Sequence, residues 1–169
     1  MPGQPLCCCL QPARVADAVL LAEMSQAHIE NGLKPAWGAP RIRWHVRDAD
    51  SVVLTARVGA GIAGFAIMRY AETNAHLNLL AVAPAHRRRG VARALVQWLE
   101  ETALTAGTFV IGLELRERND AARAFYRALG YRELGKIPGY YQGLESAIRM
   151  VRDVRAQRLS SPGTRQQPS

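Results

Sequence analysis

The sequence predicts one α/β domain built on a mixed β-sheet of about six to seven strands with flanking helices. Its 169 residues, 49% apolar and 21% charged, fit a single domain with a proper core and exclude wholesale disorder. Short β-rich runs alternate along the chain with segments of helical periodicity, which is typical of an α/β domain. A glycine-rich turn joins two of these runs, the only hairpin-like stretch, so we expect a mixed sheet.

The first half of the chain contains the predicted hairpin. Val52–Val58 and Ile62–Tyr70 are rich in β-formers and are separated by Gly59-Ala60-Gly61. Asp17 begins a segment with a mostly apolar stripe that ends near Gly32, which predicts a helix. The other elements expected in this half are a strand at Cys8–Leu10, a short helix at Pro40–Asp48 and a strand at Leu77–Val82.

The second half begins with the clearest helix of the sequence. In Val91–Ala106, apolar residues such as Leu95 and Leu99 recur on one face, and Arg93 and Glu100 fall on the polar side. Asn119 is a suitable N-cap for a further helix, which Gly130 would end. The elements expected in this half are therefore a strand at Phe109–Leu115, a helix at Asp120–Leu129 and strands at Tyr131–Leu134 and Ala147–Val151.

We expect the domain to span residues 1–159. The polar tail at 160–169 has two prolines and no periodicity, and is therefore predicted to be disordered. No apolar run approaches the roughly 18 to 20 residues that cross a bilayer, and we expect no secretory signal. These features favour a cytoplasmic protein with no membrane partner.

Charge and cysteine usage narrow the function classes. Lys and Arg number 22 against 14 acidic residues, which gives a net charge of +8, and only two of the 22 are lysines. Because arginine grips phosphate with a planar fork, this excess indicates nucleic acid, a phosphorylated cofactor or an acidic substrate. The consecutive Cys7-Cys8-Cys9 has no metal or disulfide spacing, and no metal is expected. The histidines are interpreted as surface or packing residues: His28, His45, His76 and His86.

Two glycine-containing segments resemble phosphate-binding patterns. The stretch Gly59–Gly64 matches G-x-G-x-x-G, but a strand follows it where a dinucleotide site needs a helix, so we reject that interpretation. In contrast, Val82–Ala92 (VAPAHRRRGVA) lies between a predicted strand and a long helix. Such a turn directs backbone N–H groups at an anion, and three arginines add charge. A solvated basic loop or a nucleic-acid patch is the alternative interpretation.

Glu114 is the strongest catalytic candidate. It lies within an otherwise apolar strand, where a carboxylate is costly unless it is paired or functional. A surface position or an ion pair with Arg116 is the alternative for this residue. Tyr126 follows on the next helix, on the same stripe as Ala122, where a core tyrosine is the ordinary interpretation.

Together these residues resemble the GNAT acetyltransferase superfamily. Arg87-x-x-Gly90-x-Ala92 matches its Q/R-x-x-G-x-G/A acetyl-CoA motif, and LELRERN (113–119) followed by AARAFYRALGY (121–131) is more specific. These strings, with GYY (139–141) and ESAIRM (145–150), resemble the RimI-type ribosomal-protein alanine N-acetyltransferase branch. The resemblance covers about residues 52–151 and implies the GNAT fold.

The resemblance also implies roles for individual residues. Glu114 matches the general base, Tyr126 the general acid, and Tyr140 and Tyr141 the positions that contact a peptide. The positions that match the acetyl-CoA site are Leu80, Ala81, Val82, Arg87, Arg88, Arg89, Gly90, Val91, Ala92, Asn119 and Tyr126. The segment between Tyr141 and Glu145 is shorter than in that branch, which puts the identity of the substrate in doubt.

The implied reaction moves an acetyl group from acetyl-CoA to a primary amine by direct attack, with no metal. Glu114 would take the amine proton, Tyr126 would serve the departing thiolate, and backbone N–H groups near Leu80–Val82 would hold the carbonyl oxygen. A single modest base suits an N-terminal α-amine, with a pKa of about 7.7 to 8, better than a lysine near 10.4. A small-molecule amine is the alternative acceptor, and the resemblance leaves a homodimer open.

A rival from another class is a non-catalytic module that binds RNA or DNA through His86–Arg89 and the arginines at Arg41, Arg43 and Arg47. The sequence has no aromatic-interleaved basic stripe and no helix-turn-helix spacing. We therefore disfavour nucleic acid as the partner.

Overall fold

The computed structural model describes residues 7–157, and the tail predicted to be disordered lies outside them. The described chain folds around one seven-stranded sheet in the order β1-β2-β3-β4-β5-β7-β6. None of its helices is long and apolar enough to cross a membrane. The elements are β1 (Cys9–Pro12), α1 (Ala18–His28), α2 (Ala39–Arg47), β2 (Ser51–Val58), β3 (Gly61–Tyr70), β4 (Asn74–Val82), α3 (Val91–Ala106), β5 (Val110–Arg116), α4 (Asp120–Ala128), β6 (Arg132–Tyr141) and β7 (Glu145–Asp153).

The predicted mixed α/β sheet is confirmed, but it is more antiparallel than the sequence indicated. Strands β1 to β4 pair antiparallel in chain order, and β7 pairs antiparallel with both β5 and β6. Within residues 7–157 the one parallel pairing joins β4 to β5. The β6–β7 hairpin was missed because β6 continues through Gly135 and Pro138, residues that disfavour strands. An edge strand tolerates them, since one side of its backbone needs no partner.

Helices cover the two faces of the sheet with separate apolar clusters. On one face α3 and α4 pack over a cluster that includes Leu99, Ile111 and Met150. On the other face α1 and α2 pack over a smaller cluster around Phe65 and Ile67. Burial of these side chains away from water supplies the main driving force for the fold.

A β-bulge in β4 changes which face its residues occupy. Leu77 pairs with Met68 of β3 and Leu79 pairs with Ile67, so Asn78 is an extra residue in β4. Leu77 therefore joins the α3 cluster, whereas Leu79 joins the α1–α2 cluster. Bulges bend a strand and increase its local twist. Here the bend follows directly after the last residue of β4 that pairs with β5, His76 opposite Gly112.

A buried ion pair ties α3 to β7 and corrects one expectation. The periodicity of α3 placed Glu100 on a polar face, but this residue is only 2% exposed. Its carboxylate accepts hydrogen bonds from Arg152, at 3.0 and 3.2 Å, and from the Tyr131 hydroxyl at 3.1 Å. A buried carboxylate is tolerated where its charge and lone pairs are satisfied in this way.

The hairpin predicted around Gly59-Ala60-Gly61 is confirmed, because Gly59–Gly64 forms the β2–β3 turn and the start of β3. Gly64 has a separate packing role. A Cβ added there would lie 2.8 Å from the Ala81 carbonyl oxygen and 3.2 Å from side-chain atoms of Val82 and Val91. The missing side chain lets the first residue of α3 approach the sheet.

We expect Gly64→Ala to destabilise the protein by about 1–3 kcal/mol, because the added methyl group overpacks against backbone that cannot move aside freely. Urea unfolding followed by circular dichroism measures this change. Gly61→Ala in the same strand is the matched control, since its Cβ would meet only the Val58 carbonyl oxygen at 3.7 Å, an ordinary contact. Equal midpoints for the two variants would contradict the packing role of Gly64.

Candidate active site

A cleft of about 860 Å³ opens where β4 and β5 separate beyond His76. Its walls come from β4, β5, α4, the segment between α1 and α2, and the turn between β6 and β7. Six of the residues predicted for the site line this one cleft: Leu80, Glu114, Asn119, Tyr126, Tyr140 and Tyr141. The strand divergence thus gathers residues that lie far apart in the sequence.

Glu114 projects from β5 between two cationic partners. Its Oε1 accepts from Arg149 on β7, with both Nε and Nη2 at 3.0 Å. Its Oε2 contacts Nε2 of His76 on β4, and His76 Nδ1 in turn contacts Oδ1 of Asn78. Glu114 and Arg149 are directly opposite each other in the antiparallel register, which fixes the first pair. The carboxylate side chain is 8% exposed, whereas that of His76 is 44% exposed.

These partners reverse the effect of burial on Glu114. Burial alone raises the pKa of its carboxyl, but the hydrogen bonds and charges of His76 and Arg149 outweigh it and hold the pKa below its ordinary value. The hydrogen bond to Glu114 in turn raises the pKa of His76, although burial and the Arg149 charge act in the opposite direction. A carboxylate and an imidazolium therefore stabilise each other at this point of the cleft.

Two expectations from the sequence are corrected here. The alternative partner for Glu114, Arg116, instead forms a 2.7 Å ion pair with Glu145 and donates to the carbonyls of Ile29 and Asn31. His76 was interpreted as a surface or packing residue, but it contacts the candidate base directly. The signal that was overlooked is the run of polar residues at alternate positions of β4, since Asn74, His76 and Asn78 interrupt an apolar strand.

Tyr126 lies on α4 with 7% of its surface exposed. Its ring packs edge-on against Phe125 and Tyr131, as expected of a core tyrosine, while it also lines the cleft. Within residues 7–157 its hydroxyl makes no hydrogen bond to protein. Burial raises the pKa of Tyr126, so the phenol stays protonated.

The predicted anion-binding turn lies between β4 and α3. Gly90 is the N-cap of α3 with a left-handed φ of 80°, and no side chain caps the helix. A Cβ at Gly90 would meet nothing within 4 Å, so this glycine serves the backbone conformation. Helix α3 begins at Val91. The backbone N–H groups of its first turn, at Val91 and Ala92, are available to an anion at the positive end of the helix dipole.

The three arginines of this turn are exposed, but they are not equivalent. Arg87 Nε donates to the carbonyl of Val82 at 3.1 Å, which holds its side chain against the end of β4. Arg88 adopts a positive φ of 59°. Ala81, predicted with Val82 for the cofactor, has its side chain buried in the α1–α2 cluster, so it has only backbone to offer. Asn119 caps α4 as predicted, through its Oδ1 and the Ala122 N–H at 3.0 Å.

Hydrogen bonds join two loops that line the cleft, the β6–β7 turn and the segment between α1 and α2. Gln142, in the short turn after β6, donates to the Lys34 carbonyl at 2.8 Å and accepts from the Lys34 N–H at 3.0 Å. The buried Glu30 organises the same α1–α2 segment by accepting from the Ala36 and Trp37 N–H groups. The rings of Tyr140 and Tyr141, which precede Gln142, pack edge-on against each other. The Lys34–Gln142 bridge therefore joins the β6–β7 turn to the α1–α2 segment, beside the tyrosines that the resemblance assigns to peptide contact.

No cluster of three or more His, Cys, Asp or Glu residues suited to a metal ion occurs in the described part of the chain. The cleft combines a carboxylate held by cations and a protonated phenol, and the uncapped N–H groups at the start of α3 lie outside its lining. This set can exchange a proton, donate a hydrogen bond and bind an anion.

Comparisons with known proteins identify the family and the fold. Residues 20–131 match the model of the acetyltransferase (GNAT) family. The [ribosomal protein bS18]-alanine N-acetyltransferase of Salmonella typhimurium is 39% identical over 93 residues, which cover 53% of this chain and 63% of that protein. Streptothricin acetyltransferase of Streptomyces lavendulae is 36% identical over 103 residues, 59% of this chain and 54% of that protein. The chain thus matches less than two thirds of the length of these curated relatives.

One solved structure extends the similarity over the whole fold. The crystal structure of the ribosomal-protein-S18-alanine N-acetyltransferase from Escherichia coli superposes with a TM-score of 0.75 and covers 95% of this chain and 99% of that one. At 24% identity this likeness establishes the fold alone. The predicted sheet with flanking helices is therefore the fold of that structure.

We expect Glu114→Gln to lower the pKa of His76, because the variant removes the negative charge that stabilises the imidazolium. NMR titration of the imidazole signals measures the shift. Glu145→Gln is the matched control, since it removes a carboxylate from the same cleft that pairs with Arg116 and not with His76. An unchanged His76 midpoint in Glu114→Gln would contradict the pairing.

The two titrations give opposite signs for the pH dependence of folding stability. His76 has a raised pKa in the fold, so its contribution is complete below its unfolded value of about 6.5 and is lost as pH rises through the folded value. Glu114 has a lowered pKa, so its contribution is present above about 4.3 and is lost as pH falls. The pair stabilises most in the interval between these two limits.

Proposed function

Because the chain belongs to the GNAT acetyltransferase family, we propose that it is an acetyl-CoA-dependent N-acetyltransferase acting on the N-terminal α-amine of a protein or peptide. The observation that carries this proposal is the meeting of Glu114 and Tyr126 in one cleft, at the divergence of β4 and β5. A proton acceptor and a proton-bearing phenol on one cavity are what transfer of an acyl group from a thioester to an amine requires.

The turn before α3 is the proposed site for the phosphates of acetyl-CoA. The uncapped N–H groups at Val91 and Ala92, the permissive Gly90 and the exposed side chains of Arg88 and Arg89 suit an anion. Arg87 contributes charge while its side chain stays tied to Val82. Beyond His76 the edge of β4 at Leu80–Val82 has no β5 residue paired with it in the described chain, so backbone groups there are available to a bound molecule. When bound, acetyl-CoA supplies the acetyl group as a thioester.

The proposed chemistry divides between Glu114 and Tyr126. Glu114 accepts a proton from the amine, directly or through water, so that the nitrogen can attack. Backbone N–H groups near Leu80–Val82 stabilise the negative charge that develops on the carbonyl oxygen. Because the raised pKa of Tyr126 lies above that of a thiol, about 8.5, its hydroxyl stabilises the departing sulfur chiefly as a hydrogen-bond donor.

The acceptor is proposed from basicity and from the relatives. An α-amine with a pKa of about 7.7 to 8 loses its proton more readily than a lysine near 10.4, which suits a carboxylate whose own pKa is lowered. The Salmonella relative is named for an alanine of a ribosomal protein. Tyr140 and Tyr141 line the cleft beside the Lys34–Gln142 bridge, which supports the proposal that they contact a peptide substrate.

A small-molecule amine is the second candidate acceptor. The similarity to streptothricin acetyltransferase favours it. The non-catalytic nucleic-acid module is less well supported. Arg41, one of its proposed contacts, stacks over the Trp37 ring at 3.8 Å and donates to the Ala36 carbonyl, so it is already engaged within the protein.

A thiol-release assay across amine classes tests the acceptor. We expect turnover with peptides that begin with a small residue such as alanine, and little with lysine side chains in N-terminally blocked peptides, because the α-amine is the weaker base. Polyamines and aminoglycoside-like amines complete the panel. Turnover confined to those small amines would replace the peptide proposal with the second candidate, and no turnover with any amine would refute the proposed activity.

We expect Glu114→Gln and Tyr126→Phe to retain acetyl-CoA binding and to lose most turnover, by about 100-fold or more, because each removes a proton-handling group without touching the phosphate site. Isothermal titration with acetyl-CoA and kcat measurements separate the two effects. As a control, Gln11→Glu on β1, remote from the cleft in the sheet order, should leave both quantities unchanged. Full activity in either cleft variant would remove that residue from the proposed mechanism.

A further inference from the structure

Glu114 and His76 stand in a wall between two cavities. Besides the cleft, a groove of about 610 Å³ lies on the sheet beside β4, β5 and β7. Three residues line both cavities: His76, Leu113 and Glu114. The imidazole of His76 is the more exposed member of the pair, at 44% against 8% for the carboxylate. Glu114 is therefore shielded, and the group it contacts reaches water.

The proposed reaction releases one proton in net for each amine that is acetylated. An amine that arrives as R–NH₃⁺ loses two protons when it becomes an amide that keeps one hydrogen on nitrogen. The sulfur that leaves as a thiolate takes up one of them to give the thiol. The second proton must pass from the shielded carboxylate to solvent before the next turnover.

The contacts of Glu114 leave one route for that proton through protein. Its Oε1 is held by Arg149, whose guanidinium is always protonated and accepts nothing. Its Oε2 meets Nε2 of His76. An amide oxygen only accepts, so the contact with Asn78 Oδ1 keeps a hydrogen on Nδ1 and leaves Nε2 as the ring nitrogen that exchanges a proton with Glu114. Asn78 thus sets the tautomer that can take a proton.

We propose that His76 is the proton outlet of this site, receiving at Nε2 the proton that Glu114 Oε2 has taken from the amine and releasing it to water in the neighbouring groove. This inference rests on the proposed acetyltransferase function. The proton moves from nitrogen to oxygen, then to the imidazole nitrogen, and then to water, with no change in electron count and no further reactant. His76 is a positioning and relay residue because it acts through Glu114.

The groups that face this pair set the pH at which it works. Glu114 raises the pKa of His76, and the Arg149 charge lowers it. The other titratable or charged side chains that line the groove or the adjoining cleft come from several elements: Asp50, Arg69 and Tyr70 at the groove, and His28, Glu30, Arg41, Arg116, Arg118, Tyr126, Tyr140, Tyr141 and Glu145 at the cleft. Since neutral His76 is the form that accepts a proton, kcat should rise with pH through the His76 titration.

The test compares His76→Ala and His76→Gln with the unmodified protein, using the peptide that the amine panel identifies. Both variants should lose about 100-fold in kcat with little change in acetyl-CoA affinity, and the rise of kcat through the His76 titration should disappear. Glutamine can still donate a hydrogen bond to Glu114 but cannot carry a proton. A His76→Gln variant that keeps its kcat would therefore overturn the relay and leave only a structural role.

Chemical rescue gives the second arm. Added imidazole should raise kcat of His76→Ala by about tenfold through the exposed groove, because it replaces the missing base. Pyrazole, a ring of the same shape and much weaker basicity, should not, and imidazole should not rescue Glu114→Gln. A His76→Ala variant that folds, binds acetyl-CoA and shows no response to imidazole would overturn the inference.

The failure of this inference can be distinguished from the failure of the proposed function. An unmodified protein that is inactive with every amine would refute both. An active protein whose His76 variants are unaffected would refute this inference alone.

Discussion

The site depends on the point at which two parallel strands stop pairing. Strand β4 pairs with β5 from Asn74 to His76, and the bulge at Asn78 then bends β4 away. The backbone beyond that point loses its neighbour and faces a cleft instead. A sheet that stayed paired would satisfy these backbone groups internally, and it would leave no cleft between the strands. One extra residue therefore creates both the cavity and the polar backbone edge that lines it.

The same divergence decides the electrostatics of Glu114. Strand pairing places Arg149 of β7 directly opposite Glu114. His76 is the last residue of β4 that pairs with β5. The carboxylate belongs to the part of β5 that still pairs with β7, and it lines the cleft on the side where β4 no longer pairs. The hydrogen bonds and charges of His76 and Arg149 outweigh burial and hold the pKa of this carboxyl below its ordinary value. On the far wall, the Lys34–Gln142 bridge and Glu30 hold the α1–α2 segment in place.

Local patterns predicted most elements because their signals are short-range. The amphipathic period of α3, the Asn119 cap of α4 and the glycines between β2 and β3 each depend on neighbouring residues, and all were recognised from the sequence. The errors share a different origin. Glu100 was assigned to solvent because the pattern of one helix cannot reveal that Arg152, 52 residues later, would meet it in the core. His76 was set aside for the same reason, since its partner lies 38 residues away on another strand.

The sequence by itself determined the fold class, the family resemblance and the identity of the main candidates, since Glu114, Tyr126 and the Arg87–Ala92 turn carry their own local signals. Only the tertiary structure decided which side chains contact one another. Register across β4, β5 and β7 brought His76 and Arg149 to Glu114, and a change of register by one residue would send these side chains to the other face. Cross-strand register arises from packing of the whole sheet, so no single segment of the chain encodes it.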